Sequence, residues 1–405
     1  MPGKSEPTFR VATPAELRVQ KTPVERRELD ARLALVREEM RARGVSVSLF
    51  TTPESICYLS GYSTRAITAM QVLLVDARSE AVLVIRRMDE GNYLRMRDRS
   101  PITRLVIFTD DRLQDTMEII AGLAREIGGS SGAVGLELDG MFLPPKQYDV
   151  LKAALPHAEV VNIGAMADRL RLVKSSFEVA CHRYAGTMTA AAMKRAVANM
   201  RPGMTDSAVA ADVAAGLIEA GSEWVATWPI ILTGQETGRV HSSWQNEEIR
   251  PGQPTLLEFS AARQRYHSPL LRTVIFSPDE EQRRLSEAVR KACKAGIEAI
   301  KPGATAEQVY FAERSVMEEY GVADLMSGRV GYTVGIGFAP NWVQRAGVDF
   351  MRGNGTVLQP GMVFHMPILL MQADVFGIGH SNTVVVTEDG NEILADDGFD
   401  GPILI

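Results

Sequence analysis

The chain has 405 residues, with 44 Lys and Arg against 50 Asp and Glu, for a formal net charge of −6. Its 45% hydrophobic and 23% charged residues are an ordinary globular balance with length for two or three domains, which excludes a disordered or collagen-like chain. The mild acidity excludes the basic footprint of a nucleic-acid binder, and no apolar run of about 18 residues is present to cross a membrane. The three cysteines, Cys57, Cys181 and Cys293, are far apart and form no metal spacing. They read as free thiols of a reducing compartment. Met1–Pro7 lacks the apolar stretch of a signal peptide, so a cytoplasmic protein is expected.

Residues 1–21 are polar and Pro-containing and are expected to drape or move. Thr22-Pro23-Val24-Glu25 has the form of a helix start, followed by Leu29, Leu33, Val36 and Met40 at helical spacing and a stop at Gly44. Strands are predicted over Val45–Phe50, Met70–Val75, Ala81–Ile85, Leu105–Phe108 and Ala133–Glu137. Helices are predicted over Thr116–Ile127 and Pro144–Ala154. This alternation predicts an α/β unit.

From Phe177 the texture changes. Helices are predicted over Phe177–Ala198, from Thr205-Asp206 to Gly221, over Pro278–Ala299 and over Thr305–Tyr320. Strands are predicted over Trp224–Leu232, Pro254–Ala261 and Leu270–Phe276, and the last hundred residues are Gly-rich and strand-like. Lys301-Pro302-Gly303-Ala304-Thr305 echoes Arg201-Pro202-Gly203-Met204-Thr205. The second half therefore reads as a pseudo-repeat of helix pairs on a curved sheet. The boundary falls near residue 172, giving domains 1–172 and 173–405.

The richest chemistry lies in Trp228–Thr273. Glu258 stands between Leu257 and Phe259 in an apolar strand pattern, and alternation puts it on the face opposite both. One reading is a solvated face or an ion pair with Arg272. The other is a carboxylate held for a cationic substrate group, or acting as nucleophile or base. His241 follows a Gly-rich loop, where it is either merely exposed or a reachable acid/base. His267, His365 and His380 fall near strand ends, with no metal-ligand spacing among them. Gly377–Asn382 reads either as a hairpin bend or as part of the site. Gly331–Gly337 lacks the Lys-Ser/Thr of a nucleotide loop. Trp228 and Asn341-Trp342 are candidate pocket walls or core.

Several phrases in order carry a family resemblance: Tyr58-Leu59-Ser60-Gly61-Tyr62, Arg201-Pro202-Gly203-Met204-Thr205, Pro360-Gly361-Met362-Val363-Phe364 and Val386-Thr387-Glu388-Asp389-Gly390. Together they resemble the creatinase/prolidase/methionine aminopeptidase superfamily. The fold this implies is an α/β N-terminal domain plus an α+β pita-bread C-terminal domain, with pseudo-repeated helices on a curved antiparallel sheet. The family's peptidases bind two metal ions through two Asp, one His and two Glu. The matching positions here are Glu258, Pro269, Tyr332, Pro367 and Ser381, four of which ligate a divalent cation poorly. The resemblance therefore points to the metal-free branch, with no cofactor. Within it, Glu258 through Thr273 looks closest to ectoine hydrolase.

That resemblance implies hydrolysis of a C–N bond in a small zwitterionic amidine or guanidine compound, ectoine-like or creatine-like. Glu258, His241 and His267 would be catalytic. Tyr266, Tyr332, Arg345, Trp228, His365, His380, Tyr62 and Arg65 would bind substrate, with Arg65 reaching in from a partner subunit of a homodimer. The alternatives are a metal-dependent Xaa-Pro peptidase, a lyase acting on a sulfonium zwitterion, and a non-catalytic binding protein.

Overall fold

The computed structural model describes residues 24–129 and 132–405. Chain contacts divide them into an amino-terminal unit ending at Arg171 and a carboxy-terminal unit from Leu172 onward. The expectations for residues 1–21 and for a helix start at Thr22-Pro23 lie outside the described residues. The first described helix, α1 (Arg26–Ala42), has Glu25 at its N-cap position with no side-chain cap. No helix among the described residues is long and apolar enough to cross a membrane.

The amino-terminal unit is a six-stranded sheet of β1 (Val45–Phe50), β2 (Val72–Asp76), β3 (Ala81–Arg86), β4 (Arg104–Phe108), β5 (Ala133–Leu136) and β6 (Glu159–Asn162). Their spatial order is β4-β3-β2-β1-β5-β6. The β1–β2 and β2–β3 pairs are antiparallel and the rest parallel. The β-branched alternation of Val47, Val72, Val82 and Val134 packs onto α3 (Thr116–Ala124) and the helix Pro145–Ala154. The helix predicted to reach Ile127 ends as regular α-helix at Ala124, because Gly128 sits at φ +132° inside the turn that follows.

In the carboxy-terminal unit twelve strands form one antiparallel-dominated sheet. Its central path uses β7 (Ile230–Thr233), β8 (Pro254–Phe259), β11 (Leu270–Ile275), β16 (Phe376–Val386), β15 (Val363–Gln372) and β12 (Arg329–Phe338), in that spatial order. Two helix pairs cover it: α5 (Ser176–Asn199) with α6 (Asp206–Glu219), and α7 (Glu280–Ala299) with α8 (Ala306–Glu319). Side-chain caps start all four, from Ser175, Thr205, Asp279 and Thr305.

The pseudo-repeat is visible atom by atom. Gly203 and Gly303 both sit in the left-handed region, at φ +87° and +84°. Gly203 N–H donates to Ile249 O at 2.9 Å, and Gly303 N–H to Leu358 O at 3.0 Å. The return bonds, Ile249 N–H to Met204 O and Leu358 N–H to Ala304 O, are each 2.8 Å. A Cβ at either glycine would sit on a strained backbone, so both turns need glycine. The strand expected over Trp224–Leu232 shortens to Ile230–Thr233. Its first part is a loop in which the Trp224 ring stacks under the Arg265 guanidinium, 3.6 Å from the ring centroid.

Candidate active site

Strand register gathers the chemistry. Glu258 pairs across the sheet with Ile230 on one side and Leu271 on the other. The Arg272–His380 pair brings Leu271 opposite Ser381, which pairs with Pro367. Ile230, Glu258, Leu271, Ser381 and Pro367 therefore form one row. Two residues along the strands, on the same face, a second row contains Tyr332, His365 and Thr383. The Thr383 hydroxyl donates to Pro269 O at 2.8 Å. The five positions singled out by the family resemblance thus converge on one face.

That face is aliphatic around Glu258. Leu232, Leu256 and Leu271 form a buried cluster with Ile230 and Leu369 packed against it. Glu258 is half-buried there, and among the described residues no group hydrogen-bonds or ion-pairs with its carboxylate. Burial pushes its pKa up to about 7. The alternative of an ion pair with Arg272 is not what forms. Arg272 points to the opposite, helix-covered face and donates to Asp397 at 2.7 Å, with both side chains fully buried.

On the same face as Glu258, the Trp342 indole donates to Tyr332 Oη at 3.1 Å, and His365 Nδ1 lies 2.9 Å from the same oxygen. His365 Nε2 lies 2.7 Å from Ser381 Oγ, which also accepts from Leu271 N–H at 2.6 Å. Burial, with the charge of Glu258 second, holds the Tyr332 phenol protonated. Burial and the Arg272 and Arg329 charges push His365 down to about 3, so its ring is neutral. Both of its nitrogens face protein hydroxyls, and any effect of His365 on a bound molecule runs through Tyr332 and Ser381.

The other sequence candidates are more scattered. His380 is one residue out of phase with Ser381, and so its ring lies on the helix-covered face, against the expectation of a pocket role. Its Nε2 is 3.4 Å from Asn382 Nδ2, which reaches Cys293 Sγ of α7 at 3.5 Å. His267 is fully buried and accepts from Ala226 N–H at Nε2, 3.1 Å away. Burial and the Arg265 charge keep that ring neutral, which fits a positioning part better than proton exchange with substrate. The Tyr266 hydroxyl donates to Glu178 Oε1 at 2.8 Å, at the capped start of α5. His241 is exposed on the loop after Thr233, at φ +72°. Trp228 is 70% exposed in the loop before β7, and Arg345 is half-buried. Tyr62, buried, and Arg65, exposed, belong to the amino-terminal unit. Sequence reasoning missed Asp397, which has no local signal. It also missed Glu313, whose place on the apolar stripe Val309, Glu313 and Met317 of α8 was a signal.

The five family positions do not fit a two-metal centre. They supply one carboxylate, a protonated phenol, a hydroxyl already engaged by Leu271 N–H and His365 Nε2, and two prolines. Two adjacent divalent ions need bridging carboxylates or imidazoles. Among the described residues no three His, Cys, Asp or Glu gather as a metal site.

The sequence model described as Metallopeptidase family M24 matches residues 180–388, and that of the Creatinase/Prolidase N-terminal domain matches residues 32–173. The chain is 30% identical to the ectoine hydrolase of Halomonas elongata over 390 residues, 92% of this chain and 96% of that one. It is 27% identical to a probable dipeptidase PepE of Mycobacterium tuberculosis, covering 89% and 92%. In structure it is similar to a prolidase from Thermococcus sibiricus, with a TM-score of 0.83 at 19% identity, covering 93% of this chain and 99% of that one. With its creatinase-type amino-terminal domain and its curved pita-bread sheet, the chain belongs to metallopeptidase family M24 and is an M24 family hydrolase.

Proposed function

We propose that this chain hydrolyses a C–N bond of a small zwitterionic amidine or guanidine compound, in the manner of an ectoine hydrolase, without a metal ion. The observation that carries the reading is Glu258: a half-buried carboxylate among aliphatic side chains, with no protein partner among the described residues. Such a group is costly to ionise alone and gains most from a cation delivered to it. An amidinium or guanidinium is that cation, and its carbon is already electrophilic, so no Lewis acid is required to activate it.

In this reading a Glu258 oxygen attacks the amidinium carbon, and the C=N electron pair moves onto nitrogen. His241 gives a proton to one ring nitrogen as its C–N bond breaks. Water then attacks the resulting acyl-type adduct, gives up a proton to the base form of His241, and releases the carboxylate and an amide. Arg345 would hold a substrate carboxylate in the paired geometry Arg favours. His267 positions the Ala226 backbone.

The test is a panel of ectoine, hydroxyectoine, creatine and Xaa-Pro dipeptides, read by product analysis with and without chelator. Chelator-resistant opening of an amidine or guanidine is the expected result. Cleavage of the dipeptides alone, lost on chelation, sinks the proposal and leaves the peptidase reading that the dipeptidase-like relatives suggest.

A further inference from the structure

The chain of contacts from Trp342 through Tyr332 and His365 to Ser381 and Leu271 has a direction fixed by counting hydrogens. The indole N–H of Trp342 and the backbone N–H of Leu271 can only donate. Tyr332 Oη and Ser381 Oγ therefore each accept one bond from outside, at 3.1 and 2.6 Å. Between them lie two further links, from His365 Nδ1 to Tyr332 at 2.9 Å and from His365 Nε2 to Ser381 at 2.7 Å.

A neutral imidazole brings one N–H, and the two hydroxyls bring one hydrogen each. Three hydrogens serve two links, so one hydroxyl hydrogen is left over. If Nε2 carries the ring hydrogen, the surplus falls on Ser381. If Nδ1 carries it, the surplus falls on Tyr332. Ser381 is fully buried, and among the described residues its hydroxyl meets only His365 and Leu271. A surplus hydrogen there would be an unpaired buried donor. Tyr332 instead keeps 7% exposure, against none for Ser381, on the sheet face that it shares with Glu258.

We infer that His365 is held as the Nδ1–H tautomer by Ser381 donating into Nε2, so that Tyr332 is a committed hydrogen-bond donor toward whatever binds at Glu258. This rests on the proposed amidine chemistry and names its consequence. An amidinium nitrogen has no free lone pair in the ground state, and gains one as its carbon becomes tetrahedral. Tyr332 then finds an acceptor that was absent before, an interaction made only on the way to the transition state. Tyr332 would touch the reacting atoms. His365 and Ser381 are positioning residues that act through it, and no proton is transferred along the chain.

The experiment is nitrogen-15 NMR of the full-length enzyme with labelled histidine, the His365 signals being assigned by subtraction with His365→Gln. The expected pattern at neutral pH is a protonated Nδ1 and a bare Nε2, the Nε2 resonance moving downfield in Ser381→Ala, which removes the hydrogen bond that this nitrogen accepts. A proton on Nε2 in the native enzyme, protons on both nitrogens, or no change in Ser381→Ala overturns the inference.

Kinetics give the second reading. Ser381→Ala should lower kcat about tenfold or more with KM held within about threefold, and Ser381→Thr should restore it. A change confined to KM, or no rescue by Thr, also overturns the inference. The nitrogen spectrum needs no substrate. If the native enzyme fails to open any amidine, the proposed function falls while the tautomer is still decided.

Discussion

Arg272 stands next in the strand to Leu271, the partner of Glu258, yet its guanidinium belongs to Asp397, 2.7 Å away on the other face of the sheet. One residue of strand phase separates a neutralised pair from a solitary acid. Because both members of the pair are fully buried, removing one leaves an uncompensated charge in the interior. Asp397→Ala should destabilise the protein by about 3–5 kcal/mol in denaturant unfolding. The double variant Arg272→Met, Asp397→Leu should recover much of that loss. Equal destabilisation by the single and double variants would show that shape, and not charge, holds the tail to the sheet.

The raised Glu258 pKa sets the pH profile. In the proposed mechanism the attacking form is the carboxylate, so kcat/KM should rise with pH through an apparent pKa of about 7. A bound cation favours the ionised form, so the matching limb of kcat should sit at lower pH. Glu258→Gln should cut turnover by about a thousandfold or more. It should also leave the fold intact, with the same circular dichroism and a melting temperature at pH 8 no lower than that of the parent. A kcat/KM profile flat from pH 5 to 9 would remove Glu258 from the chemistry.

The donor set makes a second statement that can be measured. One carboxylate, a protonated phenol and a hydroxyl do not assemble a dinuclear site. Purified protein dialysed against chelator should therefore keep its amidine turnover, and elemental analysis should find no stoichiometric transition metal. Added zinc or manganese should not raise the rate. Loss on chelation that is reversed by one metal would mean that ligands outside these five positions complete a centre.

How much of this was legible in the chain depends on distance along it. The alternation around Glu258 put it opposite Leu257 and Phe259, and the Pro-Gly turns announced the pseudo-repeat, because both are local signals. The phase of His380 against Ser381 was not readable. It is set by the pairing of Arg272 with His380, and the local pattern of a polar run gives no parity relative to another strand. The Glu178 partner of Tyr266 was unreadable for the same reason, since it lies 88 residues away on the first turn of a helix. The length of β7 was overestimated because apolar Trp and Val in a loop look like strand residues until Arg265 is seen stacked on Trp224.

Glu313 offers a prediction independent of the active site. It faces the interior from α8, fully buried, and among the described residues neither carboxyl oxygen has a hydrogen-bond partner. It sits against Gly296 of α7, where a Cβ would come within 2.1 Å of Oε1. Burial alone raises its pKa well above the usual carboxylate range, so the folded protein holds this proton after the unfolded chain has released it. The native state then binds more protons than the unfolded state above the ordinary Glu pKa, and stability falls as pH rises through that window. Glu313→Gln keeps the shape without the ionisation. It should raise the melting temperature at pH 8, match the parent near pH 4, and leave turnover unchanged. An equal effect at both pH values would show that the substitution acts through packing against Gly296 and not through the proton.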